Sequence, residues 1–298
     1  MKPGLPQDLT ALVDAHAHYH DCFDLIIFLD GALANFQRAA QPLGLTKSCV
    51  GCLLIADMAH QNSFQRFVES ANRRRLGHWD LRNTDEQWSL LGYRDDHLKL
   101  ILVTGRQIVC AEGIELLALG SDQEIPDGLP LPESLRAICQ SKAIPVFPWG
   151  FGKWWFRRGA IVAELLRGDH TAQRPAIFLG DNSGRPRHFR EPRLFDMAKA
   201  HAVRVLSGSD PLPLLAHNGN AGRYGFAVHG KISLDQPGRH IKELIETNLD
   251  QPITFGQLET FANFCRDQLL TQLRKLARWR PKPTPIRSVY DPNASAKG

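Results

Sequence analysis

The 298-residue chain is 43% hydrophobic and 22% charged, enough to bury one large core, as a single α/β barrel or as two small domains. Its 36 basic and 31 acidic residues leave a formal charge of +5, a mild excess that suits anionic small molecules and does not single out nucleic acid. The six cysteines lie scattered through apolar segments and read as reduced, buried side chains; Met1-Lys2-Pro3-Gly4 opens no signal peptide, Leu25 to Leu29 is too short to span a bilayer, and a cytoplasmic protein without a membrane partner is expected.

Apolar strand-like runs alternate with amphipathic stretches, the pattern of parallel β-α units. The first strand, near residues 10 to 16, runs into Asp14-Ala15-His16-Ala17-His18-Tyr19-His20-Asp21. Alternate side chains of an extended strand share a face, so His16, His18 and His20 are expected on one side together with Asp14. Neutral imidazoles at that spacing suit a zinc, manganese or iron ion. A helix follows from Leu25 to Ala40, then a strand from Cys49 to Ala56 and a helix from Ser63 to Arg73. Cys49-x-x-Cys52 has no second pair at zinc-finger spacing and lies in an apolar run, which speaks against a redox or zinc role. Residues 74 to 96 are polar and read as a long connection, and Leu98 to Thr104, Gln107 to Cys110 and Ile114 to Leu119 as short strand-like pieces that include a hairpin.

Further along, Pro132 and Glu133 open a helix that ends near Gln140, followed by a strand from Ile144 to Phe147. Helix 159 to 167, strand 176 to 179, helix 191 to 201 and strand 203 to 206 continue the alternation. Region 211 to 236 is rich in Gly and Pro and reads as loop, with one strand at Phe226 to His229. Two helices close the fold, Pro237 to Thr247 and Phe255 to Arg278. The second carries Leu258, Phe261, Cys265, Leu269 and Leu276 on one face, which is expected to cover the barrel while the basic residues face water. Residues 1 to 8 are expected as an N-terminal extension, 9 to 280 as one barrel domain, and 281 to 298, which lack periodicity, as a disordered tail.

In a parallel barrel the carboxyl ends of all strands lie at one face, and active sites are built there. Each strand end here carries polar residues: the three histidines, then Asp57 and His60, Arg106 and Gln107, Trp149 and Lys153, Asp181 to Arg187, and Ser207-Gly208-Ser209-Asp210. Asp57, Asp181 and Asn182 read equally well as helix caps. Gly150-Phe151-Gly152-Lys153 lacks the spacing of a nucleotide phosphate loop. The basic runs Arg73-Arg74-Arg75, Arg157-Arg158 and Arg274 to Lys282 have no interleaved aromatic platform and read as solvated faces, so nucleic acid is not expected as a partner.

Asp14-Ala15-His16-Ala17-His18 resembles the opening motif of the PHP family (polymerase and histidinol phosphatase), and Met197-Ala198-Lys199-Ala200-His201, leading through Val203-Arg204-Val205-Leu206 to Gly208-Ser209-Asp210, resembles its closing motif. Gly44-Leu45 followed by Leu54-Ile55-Ala56-Asp57 and His60 is similar to its second motif, and Gly105-Arg106-Gln107-Ile108 to its glutamate motif. The resemblance runs in order from about residue 8 to 232; amidohydrolases share the first and last features in outline. It implies a distorted (β/α) barrel, here with additional C-terminal helices, a cluster of zinc, manganese or iron ions, and hydrolysis of phosphoesters.

The chain departs from that pattern at several positions. Gln107 stands where the family has a metal-bridging glutamate, and its neutral amide is a poor ligand. Glu112 or Glu115 are the substitutes nearby, although Glu115 reads better as an edge residue or ion-pair partner. Val146-Phe147-Pro148-Trp149-Gly150 offers no equivalent of the third-motif histidine, and Asp210-Pro211-Leu212 lacks the histidine expected after Gly-Ser-Asp. His16, His18 and Asp210, with Gln107 beside them, remain for one divalent ion with an open position. His60 or Asp57 would move the proton, while Lys153, Arg185, Arg187 and Trp149 would hold a phosphate or carboxylate. The expected function is metal-dependent hydrolysis of a small phosphorylated or otherwise anionic substrate. The alternative is a PHP-like barrel without catalysis that serves as a binding or scaffold module.

Overall fold

The computed structural model describes residues 7–45, 49–59, 61–73, 76–168, 176–248 and 250–278. In chain order the strands are β1 (Gln7–Ala17), β2 (Cys49–Asp57), β3 (Asp80–Asn83), β4 (Ser89–Arg94), β5 (His97–Val109), β6 (Glu115–Leu119), β7 (Ile144–Pro148), β8 (Phe178–Asn182), β9 (Val205–Gly208), β10 (Tyr224–Ile232) and β11 (Ile253–Gly256). The helices are α1 (Leu25–Ala40), α2 (Phe64–Asn72), α3 (Leu131–Gln140), α4 (Arg157–Arg167), α5 (Arg193–Ala200), α6 (Pro237–Thr247) and α7 (Phe261–Arg278). Of the segments expected at the termini, 281 to 298 and 1 to 6 lie outside the described residues, and β1 already runs from Gln7.

The strands form one mixed sheet in the order β11-β10-β1-β2-β5-β6-β7-β8-β9, nearly closed into a barrel. Its two ends meet. The side-chain amide of Gln251 donates to the Val205 carbonyl at 2.7 Å and accepts from the Val205 N–H at 3.2 Å, standing in for a strand neighbour, and Ser207 Oγ lies 3.2 Å from Thr254 Oγ1. Apolar residues alternate across the pleat, so Ala11, Val13, Ala15, Cys52 and Leu54 fill the interior while Leu12, Leu53 and Ile55 pack under α1 and α2.

The sheet is not the all-parallel one that β-α alternation suggests. β1, β2 and β5 run parallel, as do β7, β8 and β9, but β6 is antiparallel to both its neighbours and β10 to β1. A short link forces this: only five residues join β5 to β6, with Gly113 at φ +72°, and a tight turn can connect only antiparallel strands. The stretch read as a polar connection holds β3 and β4, whose hairpin lies along β5. Its polar residues concealed the buried Trp79, Leu81, Leu90 and Leu91. The strand expected at Phe226 to His229 is present and longer, as the nine-residue β10. The expectation that the cysteines are buried holds for Cys52 and Cys110; Cys22, Cys49 and Cys139 are half-buried and Cys265 is exposed.

The largest correction concerns α7. It lies across the barrel mouth, but with the face opposite to the expected one: Phe264 and Asp267 are buried, whereas Phe261, Leu269 and Leu276 are 54%, 61% and 65% exposed. Asp267, Gln268, Thr271 and Arg274 look into the cavity beneath. No helix among the described residues is long and apolar enough to cross a membrane.

Candidate metal centre

A bulge in β1 builds the site. The register between β1 and β2 shifts between Asp14 and Ala17, so Ala17 joins Leu12 in the core beneath α1 while His16 and His18 turn toward the barrel mouth. The expectation that Asp14 shares a face with the histidines fails for this reason. Its fully buried carboxylate instead accepts from the Ser209 N–H at 2.8 Å, the Ser209 hydroxyl at 2.5 Å, the Gly222 N–H at 2.8 Å and the His16 N–H at 3.1 Å. Burial pushes the Asp14 carboxyl up against the pull of these donors. Asp14 is thus a clamp that fixes the backbone of His16 beside that of Ser209.

The clamp brings the end of β9 against β1. A Cβ on Gly208 would stand 2.4 Å from the His16 nitrogen, so only glycine permits this approach. The next turn places Asp210 at φ +46°, where its N–H donates to the His16 carbonyl at 2.7 Å and its carboxylate swings back over the histidines. The Asn182 amide, at the end of β8, holds Asp210 Oδ2 at 2.9 Å and the Trp149 carbonyl at 2.9 Å.

The three donor atoms converge. His16 Nε2 and His18 Nε2 are 2.9 Å apart, and Asp210 Oδ1 lies 3.7 Å from the first and 3.5 Å from the second. Two ligands about 2.1 Å from one tetrahedral ion stand roughly 3.4 Å apart, so the triangle fits a single small divalent cation. His18 Nδ1 meets the Ala56 carbonyl at 2.6 Å, and because a carbonyl only accepts, the ring proton sits there and the Nε2 lone pair faces the cluster. Burial lowers the pKa of His16, and burial with repulsion from His16 brings that of His18 to about 4, so both rings are neutral at pH 7 and able to ligate. Burial pushes the Asp210 carboxyl up, but the charges of His16, Lys153 and His18 outweigh it and hold the pKa at about 2. The chemistry of this donor set, two imidazole nitrogens and a carboxylate oxygen, is that of a zinc, manganese or iron site.

His20 lines the same cavity but stands apart from the triangle, its Nε2 donating to the Pro211 carbonyl at 2.8 Å. Gln107 Oε1 is 3.4 Å from His16 Nε2, and its amide donates to Glu115 Oε2 at 2.9 Å. Lys153 and Trp149 line the cavity, of about 450 Å³, together with Arg223 and Arg274. Thr271 Oγ1, also in that lining, is buried without a hydrogen-bond partner among the described residues.

Other residues singled out in the sequence are placed elsewhere. Asp57 accepts from the Ser63 hydroxyl and, at 3.2 Å, from the Phe64 N–H, which makes it the cap at the start of α2, lining a separate cavity. His60 lies outside the described residues, as do Arg74 and Arg75. Arg185 is buried in a two-pronged pair with Asp181, at 2.9 and 2.7 Å, and does not line the cavity at the mouth. Arg187 is exposed and does not line the cavity. The residues missed are Asn182, passed over as a cap, and the polar face of α7. Its signal was in the sequence as Asn263, Asp267, Thr271 and Arg274, spaced as one helical face.

No protein-family model matches the chain, and no curated protein does. Three solved structures show a similar course of the chain. PsfC from Pseudomonas syringae PB-5123 has a TM-score of 0.48 at 13% identity, over 91% of this chain and 99% of that one. The lesion-specific endonuclease PfuEndoQ from Pyrococcus furiosus has a TM-score of 0.46 at 12% identity, over 83% of this chain and 58% of that one. Endonuclease Q in complex with a 27-mer duplex substrate, with an abasic lesion at its active site, has a TM-score of 0.43 at 11% identity, over 80% of this chain and 57% of that one. The last is a complex with a duplex, and against it the expectation that nucleic acid is no partner is withdrawn.

Proposed function

We propose that this protein is a PHP-like, metal-dependent hydrolase that cleaves phosphorylated or otherwise anionic substrates with one divalent ion held by His16, His18 and Asp210. The observation that carries the reading is the triangle of donor atoms, with sides of 2.9, 3.5 and 3.7 Å, at the mouth of a barrel. When bound, such an ion supplies Lewis acidity and lowers the pKa of a coordinated water to about 7. The chain's own residues do the rest. Ala56 fixes the tautomer of His18, Asn182 aims Asp210, and α7 forms one wall of the cavity. Lys153 with Arg223 and Arg274 would meet an oxyanion, Trp149 would flank it, and the orphan Thr271 hydroxyl would bond to it. Arg185 and Arg187 have no part in this reading, and residues 9 to 280 act as one domain.

Elemental analysis of the purified protein beside a His16→Ala, His18→Ala double variant tests the proposal, together with hydrolysis of p-nitrophenyl phosphate and bis-p-nitrophenyl phosphate. Expected are close to one divalent ion per chain in the wild type, about a tenfold loss in the variant, and metal-dependent release of nitrophenol. Equal metal content in both proteins would remove the site. Bound metal without hydrolysis of any phosphoester would favour the scaffold alternative, which the neutral amide of Gln107 supports.

A further inference from the structure

The three-residue ligand set is not the whole of the charge in this cavity. Glu115, at the start of β6, is the next carboxylate to reach it, and it accepts from the Gln107 amide at 2.9 Å. With Glu115 beside the two neutral imidazoles and Asp210, a second divalent ion would have an anionic ligand of its own. That place is taken: Lys153 Nζ lies 2.5 Å from Glu115 Oε2.

The turn that carries Lys153 is shaped for this. The Lys153 N–H donates to the Gly150 carbonyl at 2.9 Å, and Gly152 adopts φ +78°. A Cβ on Gly150 would stand 2.4 Å from Lys153 Cδ, so the aliphatic stem lies back across a glycine and returns the ammonium to the cavity. The same ammonium lines the cavity together with His18 and Asp210.

We propose that the Lys153 ammonium, held on Glu115 by the Gly150–Lys153 turn, is a resident cation that takes the place of a second metal ion and fixes the centre at one divalent ion. The charge count supports this. Asp210, Glu115, Glu259 and Asp267 against Lys153, Arg223 and Arg274 sum to one negative charge; one divalent ion leaves the cavity with one positive charge, whereas a second would leave three, uncompensated. Gln107 fits the same scheme, because a glutamate there would add a negative charge calling for a further cation, while the neutral amide donates to Glu115 without one. The inference rests on the reading of His16, His18 and Asp210 as a metal site.

Metal-free full-length protein titrated calorimetrically with zinc and with manganese, followed by elemental analysis after gel filtration, tests it. The wild type is expected to saturate at one ion. Lys153→Gln frees Glu115 and is expected to retain a second equivalent, or to bind the first at least about tenfold tighter. Glu115→Gln leaves the ammonium unpaired beside the donors and is expected to bind its single ion about tenfold more weakly. A pair that matters only for packing would weaken binding in both variants, so the opposite signs are the signature. Two ions in the wild type, or both variants within about threefold of it at one ion, would overturn the inference while leaving the metal site intact. No ion in the wild type would overturn the metal site and this inference with it. Circular dichroism checks folding, and if Lys153→Gln does not fold, Lys153→Met, of similar length and uncharged, takes its place beside Glu115→Gln.

Discussion

Asp14 shows how much one side chain does here without touching a ligand. It joins strands through residues 195 apart in sequence, and its four donors satisfy a fully buried carboxylate. Asp14→Ala would leave buried N–H groups at Ser209 and Gly222 without an acceptor, and is expected to cost about 3–5 kcal/mol in urea denaturation and to abolish metal retention. A loss below about 1 kcal/mol would show that the backbone holds His16 and Asp210 together without it. At this scale the sequence was legible where residue type alone limits the chemistry: two imidazoles and a carboxylate are ligands wherever the fold brings them. It was not legible for Arg185, whose type fits an anion clamp while Asp181 engages it instead, and it left Asp57 open between a proton shuttle and the helix-cap role it has at the start of α2.

Most helices and the parallel strands were readable from periodicity, and α1 and α6 fall at their expected bounds, whereas β3, β4 and β11 were not read. What periodicity cannot reveal is a change of phase or a choice of face. The bulge in β1 is an irregularity of pairing, set by β2 and β9 rather than by any residue within the histidine run, and it separates Asp14 from His16. Similarly, the spacing of Phe261, Leu269 and Leu276 tells that they share a face of α7, not that the polar face is the one drawn to the charged cavity. The closeness of β9 to β1 gives the sharpest test at this scale. Gly208→Ala would drive a methyl group into the His16 backbone, and thermal and urea unfolding are expected to show a loss of about 2–4 kcal/mol. Wild-type stability in that variant would mean that the two strands are not so near.

For the molecule as a whole, closing the sheet buries titratable groups at its mouth, and stability should report it. Burial, followed by repulsion from a neighbouring imidazole, lowers both His18 and His20 from 6.5 to about 4. Between these values the unfolded chain binds protons that the folded chain does not, so stability rises with pH across the window. It is full above about 6.5 and falls as the pH drops toward 4, by on the order of 3 kcal/mol for each ring. Urea denaturation of metal-free protein at pH 7 and pH 5 reads this directly, and His20→Gln should flatten the slope; an unchanged midpoint would mean the rings are well hydrated.

The central claim, that the two imidazoles and Asp210 hold one ion, is tested most directly by anomalous scattering from crystals grown with zinc, measured on both sides of its absorption edge. The account predicts one peak, about 2.0–2.2 Å from His16 Nε2, His18 Nε2 and a carboxylate oxygen of Asp210. A map without a peak among those atoms, in crystals that contain zinc elsewhere, would contradict it.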